Sequence, residues 1–126
     1  MEYKDFLQSK QKNHIFSGFD IDEDELNKAM FPFQKFIVKR ALKAGKYAIF
    51  ADCGLGKTLM QLIWAENILR KTGKPVLILT PLAVSHQTAM EGKKFDIDCV
   101  KSDDGKASGI TITNYEKLHL FSSDDF

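Results

Sequence analysis

The sequence predicts an α/β fold, a parallel sheet with flanking helices. Three observations carry that expectation. Apolar residues recur at helical spacing between Phe33 and Leu42, and again through residues 57–72. Short apolar runs stand between and after these stretches: YAIFA at 47–51, VLILT at 76–80, IDCV at 97–100 and ITIT at 110–113. Helix and strand signals therefore alternate, the pattern of right-handed crossovers in a parallel sheet. With 44% hydrophobic residues among 126, the chain has enough apolar material for a core.

Each element has a local reason. Residues 3–14 read as a short polar helix, and SGFDIDEDE at 17–25 as an acidic, solvated link. Pro32 suits a first helical turn and Gly45 a stop, so a helix is expected between them. Lys35, Lys39, Lys43 and Lys46 fall on its polar face. YAIFA is bounded by a glycine-rich loop and reads as a buried strand. The helix at 57–72 is apolar on most sides, which predicts several packing neighbours, and Gly73 ends it. VLILT, continuously aliphatic, reads as a central parallel strand. A second crossover helix is expected over 83–93, then the strands at 97–100 and 110–113 with a loop at 102–109 between them. Asn114 is placed to cap a short helix, YEKLHLF.

Composition narrows the class. The net charge is +1, yet it is unevenly spread. Residues 26–94 carry twelve Lys/Arg against three Asp/Glu, whereas residues 1–25 and 95–126 each carry three Lys against seven acids. A basic middle flanked by acidic ends keeps polyanion binding open. The two cysteines, Cys53 and Cys99, show neither a CxxC pair nor metal-ligand spacing, which fits a reduced, cytoplasmic setting. No apolar run is long enough for a membrane span, and the N-terminus lacks the apolar segment of a signal peptide.

The strongest chemical signal is Ala51-Asp52-Cys53-Gly54-Leu55-Gly56-Lys57-Thr58. It matches the phosphate-binding P-loop (Walker A), G-x-x-x-x-G-K-[ST], with Ala51 in place of the first glycine. Gly54 and Gly56 permit torsions that turn backbone N–H groups inward around phosphate oxygens. The helix that follows adds unsatisfied N–H groups and a partial positive charge. Lys57 can reach the β- and γ-phosphates of a nucleoside triphosphate, and the Thr58 hydroxyl can ligate Mg²⁺. Cys53 reads as a small filler within the loop. No N/T-K-x-D base-reading motif is present, which argues against a GTPase, and Arg40 and Arg70 are too few for the lid of a P-loop kinase.

With these blocks in place, the stretch from FPFQKFIVKRAL through ADCGLGKT to ITITNYEKL resembles the first RecA-like domain of superfamily-2 helicases. It is most similar to the Snf-type, chromatin-remodelling-like branch and its phage-encoded members. The resemblance covers about residues 31–120. It implies a RecA-like P-loop sheet that binds ATP and Mg²⁺. Gln34 matches the position that reads the adenine edge, with Phe31 or Phe33 near the base. Asp52, Cys53, Gly54, Leu55, Gly56, Lys57 and Thr58 form the matching phosphate loop, with Lys57 and Thr58 in the catalytic roles. VLILTPLAVSHQ is similar to motif Ia, and ITITNYEKL to motif Ib. Thr80, Pro81, Ser85, Asn114 and Tyr115 are thereby implied in contacts to a DNA backbone, double-stranded DNA ahead of RNA. Thr80 and Ser85 would serve equally as an ordinary strand end and helix cap, and the Asn114 cap and a DNA contact can coexist.

The resemblance also has a gap. The acidic Walker B strand is absent, and Asp124-Asp125 follows no apolar strand and is no substitute. The sequence therefore predicts a 1–30 N-terminal helical, acidic extension and a partial first RecA-like domain over 31–126. The remaining helicase domains would belong to the complete protein, whose reaction is ATP hydrolysis, and the chain alone would turn over little ATP. A naturally short module that binds nucleotide or a helicase partner without hydrolysis is the alternative.

Overall fold

The computed structural model describes residues 3–5, 17–50 and 56–126. Residues 3–5 are helical, and the rest of the helix expected over 3–14 lies outside the described residues. Helix α1 spans Pro32–Ala44 and α2 spans Lys57–Thr72. Strand β1 covers Val76–Thr80, and α3 covers Leu82–Lys94. Strands β2, Cys99–Lys101, and β3, Ile110–Asn114, complete a three-stranded, all-parallel sheet in the order β1-β3-β2. The chain is thus an α/β protein. Among the described residues no helix is long and apolar enough to cross a membrane.

Helix α1 begins at Pro32 as expected, because proline loses nothing at a position whose N–H is unpaired anyway. The acidic link does not hang free. The N–H groups of Ser17, Gly18 and Phe19 donate to the carbonyls of Ala44, Lys43 and Leu42. These are the carbonyls a helix end leaves without partners. Ile21, Leu26 and Met30 then enter the same core as Val38, Leu42, Met60, Leu62, Ile78, Ile110 and Ile112. A 3₁₀ turn at Glu23–Glu25 stands between them.

The sheet corrects three expectations. Residues 47–50 form no strand, and Ala51 lies outside the described residues. Phe50 is 97% exposed. An extended segment becomes a strand only when a neighbour takes up its N–H and C=O groups, and 47–50 pairs with none of the described strands. VLILT is parallel as expected but sits at one edge of the described sheet, not at its centre. Its burial alternates, whereas all five residues of β3 are buried. The central position belongs to the Thr-rich ITITN, in register with β1 from Val76↔Ile110 to Thr80↔Asn114. Finally, the strand expected over 97–100 starts at Cys99. Ile97 is held back by its N–H bond to the Gly92 carbonyl, in a turn where Asp96 takes a positive φ of 56°.

Asn114 caps as expected, its Oδ1 accepting from the Lys117 N–H at 3.1 Å. The segment it starts is a 3₁₀ helix, Tyr115–Leu120, in place of the expected α-helix.

Candidate functional site

The heads of α1 and α2 and the tail of α3 enclose a cleft of about 640 Å³. Its first wall comes from the way α1 begins. The Phe31 N–H donates to Gln34 Oε1 at 2.8 Å, while the Gln34 N–H donates to the Phe31 carbonyl at 3.0 Å. This reciprocal pair satisfies donors that a helix start would otherwise leave open. It also turns the Phe31 and Phe33 rings outward, stacked with centroids 6.1 Å apart and planes 9° from parallel. Phe31 is 64% exposed, whereas Gln34 is only 3% exposed.

The second wall is the start of α2. Gly56 adopts φ 76° and ψ 38°, left-handed torsions that side chains disfavour. There is a second reason for glycine here: a methyl group on Gly56 would collide with Gln34 Nε2. Lys57 and Thr58 follow in the first turn, Lys57 exposed and Thr58 half-buried. A left-handed residue followed by right-handed ones sets successive N–H groups toward a common side, the geometry of an anion nest. The third wall is Glu91 and Phe95 at the end of α3. Asn27 Nδ2 donates to the Phe95 carbonyl at 3.5 Å and ties that end to the segment before α1.

The structure therefore brings together four of the residues expected at a nucleotide site: Gln34, Gly56, Lys57 and Thr58. Asp52, Cys53, Gly54 and Leu55 lie outside the described residues. Sequence reasoning missed Glu91 and Phe95. Nothing local marks them; only the packing of α3 carries them to the cleft.

The positions expected to meet DNA lie elsewhere. Thr80 and Asn114 are neighbours at the carboxyl ends of β1 and β3. Pro81 and Ser85 belong to the start of α3, and Tyr115 follows β3. Glu91 and Phe95 mark the other end of that helix, from about 9 Å along its axis (Ser85 to Glu91) to about 21 Å (Pro81 to Phe95) at roughly 1.5 Å per residue. The cleft thus sits at the end of α3 that leads into β2, whereas open α/β sheets most often bind ligands beyond the carboxyl ends of their strands. At the strand ends most polar groups are already engaged. The Thr80 and Ser85 hydroxyls lie 2.7 Å apart, close enough for one to donate to the other, and the Pro81 carbonyl lies 3.1 and 3.4 Å from them to accept the proton that remains. Both side chains and Asn114 are buried; Pro81 and Tyr115 stay on the surface.

Among the described residues no group of three or more His, Cys, Asp or Glu is placed to hold a metal ion. Among the described residues that line the cleft, Glu91 is the carboxylate and Lys57 the cation. No family model, curated protein or solved structure matches this chain.

Proposed function

We propose that the chain is the ATP-binding part of an ATP-dependent DNA translocase of the superfamily-2, Snf-type class, folded as part of a RecA-like P-loop domain and working in the cytoplasm. The observation that carries this reading is the contact between Gln34 and Gly56. Two sequence blocks implied in one nucleotide site meet in a single cleft. Its volume falls within the range of ligand sites, and aromatic walls face a cation, which suits a purine nucleotide with an anionic tail. Phe31 and Phe33 offer a flat apolar face to a base. The Lys57 ammonium and the N–H groups after Gly56 would hold the phosphates, and Thr58 would supply a hydroxyl to Mg²⁺. When bound, Mg²⁺ neutralises charge on the phosphates. Glu91 keeps one wall acidic. DNA and the remaining helicase domains are the proposed macromolecular partners, with Pro81 and Tyr115 as the exposed members of the DNA-facing set.

The test is a calorimetric titration of the chain with Mg²⁺-ATP beside the Lys57→Ala variant. A loss of about tenfold or more in affinity is expected, the worth of one charge-assisted contact to phosphate. Equal affinities would remove the phosphate loop from the account.

A further inference from the structure

We infer that Gln34 is a positioning residue that sets Gly56, and does not choose the base; for ligand binding this rests on the nucleotide reading above. The side chain is almost wholly buried, at 3% exposure. Its Oε1 is taken by the Phe31 N–H at 2.8 Å, a bond that fixes where the amide points. That orientation sets Nε2 against the α-carbon of Gly56, so closely that no Cβ would fit between them. Gly56 in turn opens α2, its carbonyl accepting the first helical bond from the Met60 N–H at 3.1 Å. Gln34 therefore links the head of α1 to the left-handed glycine that aims the N–H groups of α2 into the cleft. A side chain committed at one end to Phe31 and pressed at the other against Gly56 is built to hold backbone. The rings of Phe31 and Phe33, which face outward, are left to meet a base, and aromatic stacking tolerates any base.

The consequence is a loss that ignores the base. A reader of adenine would, when removed, weaken ATP alone. A strut for Gly56 would, when removed, weaken every ligand held by the phosphate nest, with or without a base. Two measurements on the whole chain separate these. The first needs no ligand: amide hydrogen exchange at residues 56–60 in wild type, Gln34→Ala and Gln34→Glu. We expect Gln34→Ala to speed exchange there about tenfold, the worth of one buried capping bond, while β3 amides keep their rates. Gln34→Glu retains an oxygen for the Phe31 N–H and should stay within about threefold of wild type. Unchanged exchange in Gln34→Ala overturns the inference. Should Gln34→Ala unfold, seen as faster β3 exchange, Gln34→Glu decides: near-native rates support the strut, and accelerated rates at residues 56–60 alone overturn it.

The second measurement compares ATP, GTP and inorganic tripolyphosphate binding to wild type and Gln34→Ala. Equal fold losses for the three are expected. A loss confined to ATP overturns the inference. If wild type binds none of the three, the nucleotide reading fails instead, and the exchange rates still decide the role of Gln34.

Discussion

Two regions of this molecule carry the same kinds of side chain and use them in opposite ways. At the carboxyl ends of β1 and β3, the hydroxyls of Thr80 and Ser85 bond each other and the Pro81 carbonyl, and Asn114 caps the segment after it. At the head of α2, Lys57 is exposed and Thr58 faces a cleft. The first region spends its polar groups on the fold, and the second leaves some for a ligand. A hydroxyl already bonded within a buried cluster gives up those bonds before it can meet a phosphate, at about 1–3 kcal/mol for each group left unpaired. The cleft asks for no such exchange at Lys57. Residue type alone does not distinguish the two regions; the partners do.

The largest effect should come from breaking the junction of the cleft itself. Gly56→Ala forces a side chain into φ 76° and against Gln34 Nε2. A cost of about 2–3 kcal/mol is expected, from the left-handed torsion and the displaced amide together. Thermal or urea unfolding measures it. The double variant with Gln34→Ala should lose about 1 kcal/mol less than the sum of the two single losses, because the collision is gone while the torsion remains and the Phe31 bond is lost only once. Strictly additive losses would mean the two residues do not touch.

Next in size is the strand-end cluster. Ser85→Ala removes one hydroxyl from a fully buried pair and leaves Thr80 with the Pro81 carbonyl alone. About 1–2 kcal/mol of stability should be lost. DNA affinity, read by anisotropy with a labelled duplex, should change less than twofold. A large loss of DNA binding with native stability would reverse the comparison and make the strand ends a contact surface.

A third variant should move the other way. Thr113 is wholly buried in β3, and its hydroxyl has no hydrogen-bond partner among the described residues. Burying an unpaired hydroxyl costs free energy, so the near-isosteric Thr113→Val should raise stability by about 1 kcal/mol. Destabilisation would reveal a partner for that hydroxyl and extend the bonded network of the strand ends.

Much of the fold was legible because its signals are local. Pro32 and Gly45 bracket α1 and Gly73 stops α2, but the apolar spacing marks only part of the buried face of α1: Ala41 and Leu42 are buried as expected, whereas Phe33 and Phe36 are exposed and Gln34 and Val38 take the inward places. Sheet order was not legible. VLILT is the more hydrophobic run, yet ITITN holds the centre of the described sheet; Thr111 is buried with its hydroxyl bonded to the backbone of Ser108, and Thr113 is buried at the cost of a hydroxyl without a partner among the described residues. YAIF misled for a related reason: a short apolar run has no period that distinguishes a strand from an unpaired segment. At the cleft, Gly56, Lys57 and Thr58 could be placed together from the sequence, since they are consecutive at a helix start and line the cleft as a unit. Glu91 and Phe95 could not, because they reach the cleft through the packing of α3.

The smallest expected effect concerns the electrostatics of the strand ends. Lys117 Nζ donates to Asp103 Oδ1 at 2.7 Å, linking the loop after β2 to the segment after β3. That bond, with Lys101 nearby, holds the Asp103 carboxyl below its ordinary pKa. A carboxylate whose pKa is lowered on folding contributes stability above its unfolded value, near 3.9, and loses it as pH falls through the folded value. Asp103 is exposed and Lys117 half-buried, so water still reaches the pair, and the contribution is small and screened by salt. A carbon-detected NMR titration of Asp103 should show its midpoint rise toward the ordinary range in Lys117→Met, with the Ile110–Asn114 resonances unmoved. This tie accounts for part of the acid sensitivity of that region; the neighbouring Asp104, whose carboxylate accepts the Lys106 N–H and is also held below its ordinary pKa, supplies another part, so Lys117→Met weakens the pH dependence below about 4 without abolishing it. An Asp103 midpoint that stays low in Lys117→Met would mean that this tie is not what holds the carboxylate, and would point to other charged groups at the strand ends.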